Sequence, residues 1–258
     1  MKRLVNTCLL AATATWSFGC TGGDAATESD YDDVAQSLSA LVSGGSDPNS
    51  QSSDVNAMFD SASVATGTTG IGLSLSTSAE GVFSGDNAGF KFKYTGKCLD
   101  VAGVAMEKCG SSAASAQIDV DWEGNLTLPR VSASVSRGGS WTLANLQTDT
   151  IQLDGQGDFT LDSSVESAFR RSISSVHVDY KASYDKVLLN RAAHRVTGGQ
   201  VTYTIKAERK VSGTNKSSDA KFDIDGVLEF GADGNATLTL DGAFEYALNV
   251  ATGTLVKK

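Results

Sequence analysis

Residues 236–250 read ATLTLDGAFEYALNV, and apolar or small side chains fall on every second position. Such alternation is typical of a β-strand with one buried and one solvated face, because successive side chains of a strand point to opposite sides. Fully extended, the segment would be ~50 Å long, which exceeds an ordinary strand. We therefore predict one long strand that bends at Gly242.

The segment before it alternates in the same way, and residues 233–235 (DGN) separate the two. This composition favours a three-residue hairpin loop. Such a loop would place Phe230 opposite Leu238 on the apolar face. Gly226 would then lie opposite Gly242, the arrangement expected where a sheet bends sharply.

The period of two extends upstream through residues 90–94, 176–180 and 201–207. The chain has 27 glycines and only two prolines, which suits many turns between extended segments. We predict an all-β domain over residues 67–258, an antiparallel meander of long bent strands forming an open barrel or a two-layer sandwich. A barrel that spans a membrane would alternate too, but the low aromatic content and the terminal Lys257-Lys258 disfavour it.

Two short helices are predicted within residues 30–66, ahead of the β domain. The first begins near Tyr31 and stops before Gly44. The second ends before Gly67, and its apolar face comprises Val55, Met58, Phe59 and Ala62. Both helices are too short to be stable alone, so we expect them to pack on the β domain or to form a stalk.

The N-terminus has the pattern of an export signal. Lys2 and Arg3 precede a mostly apolar stretch, residues 4–16, which is too short for a stable membrane span. Residues 17–20 (SFGC) resemble the lipobox of bacterial lipoproteins, in which the cysteine is lipidated and becomes the mature N-terminus.

The resemblance implies a signal peptide over residues 1–19 and lipidation of Cys20. Serine and phenylalanine depart from the usual first two lipobox positions, so ordinary signal-peptidase cleavage near residues 12–14 remains the alternative. In a Gram-negative host, Thr21 after the cysteine would imply sorting to the outer membrane. Residues 20–29 are small, polar and acidic, which predicts a flexible lipidated tether. The chain thus resembles the uncharacterised class of β-rich envelope lipoproteins, joined to the membrane through the N-terminal lipid.

The remaining cysteines agree with export. Cys8 lies in the signal and Cys20 would carry the lipid, so the mature chain keeps Cys98 and Cys109. In an oxidising compartment these two would form a disulfide contributing ~2–3 kcal/mol. Their spacing matches neither a CxxC redox motif nor a zinc site, so we expect a structural role and no cofactor.

Charge is unevenly distributed. The net charge of -9 disfavours nonspecific binding to nucleic acid, yet residues 170–221 carry eleven Lys and Arg against four Asp and Glu. One interpretation is a face for an anionic partner in the envelope, formed by Arg170, Arg171, Lys181, Lys186, Arg191, Arg195, Lys206, Arg209 and Lys210. The other is cross-strand pairing with acidic neighbours, which include Asp223, Asp225 and Glu229.

Catalytic motifs are weak. Ser175, His177 and Asp179 share one face of a strand, but neighbours two apart are separated by about 6.6 Å and point outward in parallel, so we expect no hydrogen bonds between them. No metal-binding spacing is present. These observations favour a non-enzymatic, membrane-anchored envelope lipoprotein with a binding or structural role. The alternative is a carrier of an apolar small molecule or lipid in a barrel-like cavity.

Overall fold

The protein is described by a computed structural model. It covers residues 26–43, 53–68, 76–77, 82–87, 90–128, 131–166, 172–213 and 217–258. The predicted signal peptide and Cys20 lie outside these residues.

Two helices precede twelve strands. The helices are α1 (Glu28–Val42) and α2 (Asp54–Thr66), close to the predicted positions. The strands are β1 (Ser76–Thr77), β2 (Val82–Asn87), β3 (Phe90–Leu99), β4 (Ser115–Leu128), β5 (Val131–Ala144), β6 (Thr150–Glu166), β7 (Ser172–Asn190), β8 (Arg195–Gly213), β9 (Ser217–Phe230), β10 (Asn235–Leu240), β11 (Phe244–Asn249) and β12 (Thr254–Lys257).

The strands form a single sheet in chain order, and each strand pairs antiparallel with the next. This confirms the all-β prediction and the antiparallel meander. Of the two predicted arrangements, the two-layer sandwich is wrong, because all twelve strands belong to one sheet. Within the described residues β1 and β12 do not pair, so the sheet is not closed into a barrel.

The apolar face of the sheet packs around the helices. Helix α2 contacts β3 and β4, whereas α1 contacts β10, β11 and β12. Nearly every side chain of α2 is buried, including Met58 and Phe59. A helix enclosed in this way requires the sheet to curve around it, so we call the helix-covered side the concave face and the opposite side the convex face.

The predicted long strand of residues 236–250 is wrong, because the chain turns at Asp241 and Gly242 and returns as β11. Both residues have positive φ, 47° and 66°, as a tight hairpin turn requires. Leu240 therefore pairs with Phe244, and Leu238 pairs with Tyr246. Alternation continues through the turn, which is why the segment resembles one strand.

The predicted register of the preceding hairpin is also wrong. Phe230 pairs with Ala236, and Gly226 pairs with Leu240. The loop lies one residue earlier than predicted, because the backbone N–H of Gly231 donates to the carbonyl of Asn235 at 2.7 Å and the Asp233 carboxylate accepts from the backbone N–H of Asn235 at 3.1 Å. The partner of each β9 residue is therefore two positions earlier than predicted.

The disulfide between Cys98 and Cys109 is confirmed, with the two Cα atoms 5.3 Å apart. Cys98 is buried near the end of β3, and Cys109 lies in the connection to β4. The bond therefore holds this long connection against the end of the sheet near α2.

A bulge between β7 and β8 depends on a glycine. The register shifts between Asp185 and Leu188, and Gly199 opposite has a φ of +90°. A Cβ atom on Gly199 would overlap the carbonyl oxygen of Lys186 and the Cα of Val187.

We predict that Gly199→Ala destabilises the protein much more than Gly103→Ala. Gly103 also has positive φ, +75°, but an added Cβ would meet no atom within 4 Å. We expect backbone strain to lower the free energy of unfolding by about 1–2 kcal/mol at either site. At Gly199 the overlap should lower it by a further ~1–3 kcal/mol. Equal free energies of unfolding in urea titrations would contradict the role of the bulge.

Candidate functional site

Helix α2 begins with a buried carboxylate. The hydroxyl of Ser53 accepts a hydrogen bond from the backbone N–H of Asn56 at 3.2 Å and caps the helix. Asp54 follows as the first residue of α2, where the helix dipole favours a negative charge. Its side chain is only 4 % exposed, so the carboxylate needs a partner inside the protein.

That partner is Arg137 of β5, whose side chain is 2 % exposed on the concave face. The Arg137 Nη2 atom forms an ion pair with Asp54 Oδ1 and donates a hydrogen bond to the Tyr184 hydroxyl at 3.2 Å. The Tyr184 hydroxyl donates in turn to Asp54 Oδ2 at 3.0 Å. The three groups close a ring of contacts between α2, β5 and β7, which we call the buried polar cluster.

Aromatic rings surround the guanidinium. The Arg137 Cζ atom lies 5.1 Å from the ring centroid of Trp141 and 5.4 Å from that of Trp122. Tyr184 contacts Trp141 edge to face, with centroids 5.6 Å apart. The cation is thus stabilised by ring faces as well as by the carboxylate.

Charge states in the cluster follow from burial and from the ion pair. Burial alone lowers the pKa of Arg137, but the Asp54 charge, with Tyr184 and Tyr94, raises it above its usual value. Burial, together with the Asp54 charge, raises the pKa of Tyr184 far above its usual range. Arg137 therefore stays protonated and Tyr184 stays a hydrogen-bond donor at neutral pH.

Small residues leave room beside the cluster. Gly139, Gly157 and Ala182 are directly opposite one another on β5, β6 and β7, and the row continues to Tyr203 of β8. A cavity of about 10 Å³ lies among Gly157, Ala182, Tyr203 and the cluster. This volume is close to the minimum that holds one water molecule.

Hydrogen-bond donors next to the cluster are not satisfied. Arg137 Nη1, the Tyr203 hydroxyl and Trp141 Nε1 are buried, and none has a hydrogen-bond partner among the described groups. Unsatisfied buried donors are costly. The site therefore has the capacity to bind more acceptor atoms than Asp54 supplies.

We predict that Asp54→Ala costs about 3–5 kcal/mol in free energy of unfolding, because it leaves the Arg137 charge buried without its counterion. The matched control is Glu123→Ala, which breaks an exposed pair with Lys91 at 3.7 Å, where both side chains are 70 % exposed. That change should cost about 1 kcal/mol or less. Urea denaturation of both variants measures the two free energies of unfolding. Equal decreases would show that breaking the buried pair costs no more than breaking the exposed one.

The convex face carries rows of alternating charge. Asp162, His177, Glu208 and Lys221 lie directly opposite one another on β6, β7, β8 and β9. Lys221 forms an ion pair with Glu208. Each charged side chain of this row lies opposite one of the other sign on the next strand, so the charges of the row compensate one another.

The expectation that His177 and Asp179 do not contact each other is wrong. His177 Nε2 lies 3.2 Å from Asp179 Oδ2, and Nδ1 lies 2.6 Å from Asp162 Oδ1. The side chains lean along the sheet instead of standing parallel. The hydrogen bond to Asp162 is the main reason that the pKa of His177 is raised above its usual value.

This arrangement predicts a measurable titration. The pKa of His177, followed by NMR, should exceed ~6.5 and should fall more in Asp162→Asn than in Asp179→Asn, because the Asp162 contact is shorter. Because the folded-state pKa is raised, the stabilisation from His177 should be complete below the unfolded pKa and lost as pH rises through the folded pKa. If the pKa of His177 is the same in Asp162→Asn as in the wild type, the assigned contact between His177 and Asp162 is refuted.

The nine predicted basic residues do not form one surface in the part of the chain that is described. Lys181, Lys206 and Lys210 lie on the convex face, and Lys206 is directly opposite Asp223. Arg209 lies on the other face and pairs with Asp30 of α1 at 2.5 Å. Arg170 and Arg171 lie outside the described residues.

The other three basic residues lie close to the β7–β8 hairpin. Arg191 donates a hydrogen bond to the carbonyl of Leu146 at 2.9 Å, which is a structural contact. Lys186 lies at the bulge, and Arg195 begins β8. Binding of an anionic partner by any of the nine stays a prediction.

The buried polar cluster was not predicted from the sequence. One signal was available, since Arg137 occupies the same phase of β5 as Trp141 and Leu143, where an apolar residue is expected. Nothing local connected it with Asp54, because the contact depends on how α2 packs.

No protein-family model, curated protein or solved structure matches the chain. In the described ranges, no group of three or more His, Cys, Asp or Glu side chains is arranged to hold a metal ion. No helix in those ranges is long and apolar enough to cross a membrane.

Proposed function

We propose that this chain is a non-enzymatic envelope lipoprotein, anchored in the outer membrane through Cys20, whose β domain binds a partner or ligand. The observation that carries the proposal is the attachment of α1, which begins at Glu28 within the predicted tether, to the C-terminal strands. Lys257 of β12 forms ion pairs with Glu28 at 2.6 Å and Asp32 at 3.0 Å. The Tyr246 hydroxyl of β11 donates to Asp32 at 2.7 Å.

Further contacts hold α1 in place. The rings of Tyr31 and Phe244 stack with centroids 3.9 Å apart, and the Tyr31 hydroxyl donates to Asp241 at 2.6 Å. Asp30, which is buried, pairs with Arg209. Because these contacts fix α1 to the sheet, the position of the N-terminus of α1 also determines the position of the sheet.

The length of the tether then limits the distance to the membrane. Six residues lie between Cys20 and Thr27, the N-cap of α1, and the seven steps along the chain span at most ~25 Å. A lipid on Cys20 would hold the edge formed by β10, β11 and β12 close to the membrane surface. This geometry supports a domain that works at the membrane.

The arrangement of the two histidines supports a non-enzymatic role. Both ring nitrogens of His177 contact carboxylates, which favours the charged ring and leaves no nitrogen to accept a proton from Ser175. The His194 ring packs against Phe59 with centroids 4.1 Å apart, and burial lowers its pKa. Neither ring is placed as a general base.

A carrier of an apolar small molecule or lipid is the second candidate. The observation that favours it is the long apolar concave face, which is covered by two helices and not by a second sheet. In the described conformation α2 occupies this space. Carriage would therefore require α2 to be displaced.

We predict that the mature protein carries lipid on Cys20. Metabolic labelling with a palmitate analogue in a Gram-negative host should label the wild type and Cys8→Ser, and Cys20→Ser should lose the label. The wild type should fractionate with the outer membrane, and Cys20→Ser should become soluble in the periplasm. Label retained in Cys20→Ser would disprove the anchor, and a hydrolytic activity abolished by His177→Ala would disprove the non-enzymatic role.

A further inference from the structure

We propose that the buried polar cluster is a binding site for the headgroup of a long-chain carboxylate, and that α2 occupies this site through Asp54 until the ligand displaces it. The inference rests on the proposed binding function and names the class of ligand. It concerns the concave face of β5 to β8 at the N-terminal end of α2, where Asp54 contacts Arg137.

Asp54 uses only part of the binding capacity of Arg137. A guanidinium can bind a carboxylate through two parallel hydrogen bonds. Here the contacts to Asp54 and Tyr184 are both made by Nη2, and Nη1 has no partner among the described groups. A carboxylate that is not part of a helix is free to approach Arg137 through both nitrogens.

A second donor is available on the same side. The Tyr203 hydroxyl is buried, has no hydrogen-bond partner in the described chain and lines the cavity next to Arg137. Gly157 and Ala182 form part of the wall of that cavity. With the Tyr180 hydroxyl, three donors that have no described partner belong to residues lining this small space, and they match the oxygen atoms of a carboxylate better than they match an apolar group.

Helix α2 itself resembles an amphiphile in its arrangement. Asp54 lies at its N-terminal end on Arg137, the buried apolar residues Val55, Met58 and Phe59 follow, and a second buried carboxylate, Asp60, comes after them. A helix of 13 residues is about 20 Å long and marginal in isolation, so packing holds it in place. A molecule with a carboxylate head and an apolar chain would replace both kinds of contact.

The experiment uses the full chain with Cys20→Ser, which removes the lipidation site and avoids detergent. Binding of the fluorescent fatty acid dansylaminoundecanoic acid is compared with binding of the corresponding alcohol. We expect the acid to bind about tenfold or more tightly than the alcohol, because only the acid forms charge-assisted hydrogen bonds with Arg137. Asp54→Asn should tighten acid binding by removing the competing charge.

Two further variants test the site. Arg137→Met should remove the preference for the acid, and Tyr203→Phe, which loses no hydrogen bond in the described structure, should weaken acid binding severalfold with unchanged stability. Lys91→Met changes an exposed cation and should have no effect. If Arg137→Met does not fold, the acid preference and the Tyr203→Phe result still decide the question.

The outcomes separate the two proposals. Equal affinity of the wild type for acid and alcohol, or no acid binding by an Asp54→Asn variant that still unfolds cooperatively in urea, would overturn the carboxylate site, whereas lipidation of Cys20 would still support the membrane-anchored module. If the wild-type protein is not labelled on Cys20 but the Cys20→Ser protein binds the acid, only the proposed anchor is overturned. Native mass spectrometry of the purified chain should also show a co-purifying long-chain acid in Asp54→Asn.

Discussion

The ion pair between Arg137 and Asp54 fixes how the two parts of the molecule fit together. It joins the first residue of α2 to the middle of the sheet, and Tyr184 ties both groups to a third element. Burying two charges costs desolvation energy that their attraction offsets only partly, so the pair adds little net stability over an apolar contact. Its effect is on orientation, because it holds the first turn of α2 against β5 and β7.

The two faces of the sheet differ in polarity and in what covers them. The concave face is apolar and needs a cover, which the chain supplies from its own N-terminal helices. The convex face is solvated, and its charges lie in rows of opposite sign such as Asp162, His177, Glu208 and Lys221. Among the described basic residues, Lys181, Lys206 and Lys210 lie opposite aspartates on neighbouring strands, and Arg209 pairs with Asp30 of α1.

The proposed anchor and the proposed ligand site involve the two helices. Helix α1 packs on β10, β11 and β12, and α2 packs on β3 and β4. If Cys20 is lipidated as proposed, a long-chain ligand taken from the membrane would meet a domain held beside that membrane. In the proposed site, Arg137 Nη1 and the Tyr203 hydroxyl, which have no partner in the described chain, would donate hydrogen bonds to the anionic headgroup.

Local pattern determined much of this protein. The alternation in residues 236–250 identified the buried face of β10 and β11, and counting cysteines identified the Cys98–Cys109 disulfide. The turn at Asp241 and Gly242 was misread because alternation continues across a tight hairpin, so only the pairing of Leu240 with Phe244 reveals it. Arg137 and Asp54 are 83 positions apart in the chain, and no local pattern links them. Their contact, like the pairing of Arg209 with Asp30, is decided by tertiary structure, because strand register and helix packing determine which distant charges share a buried space.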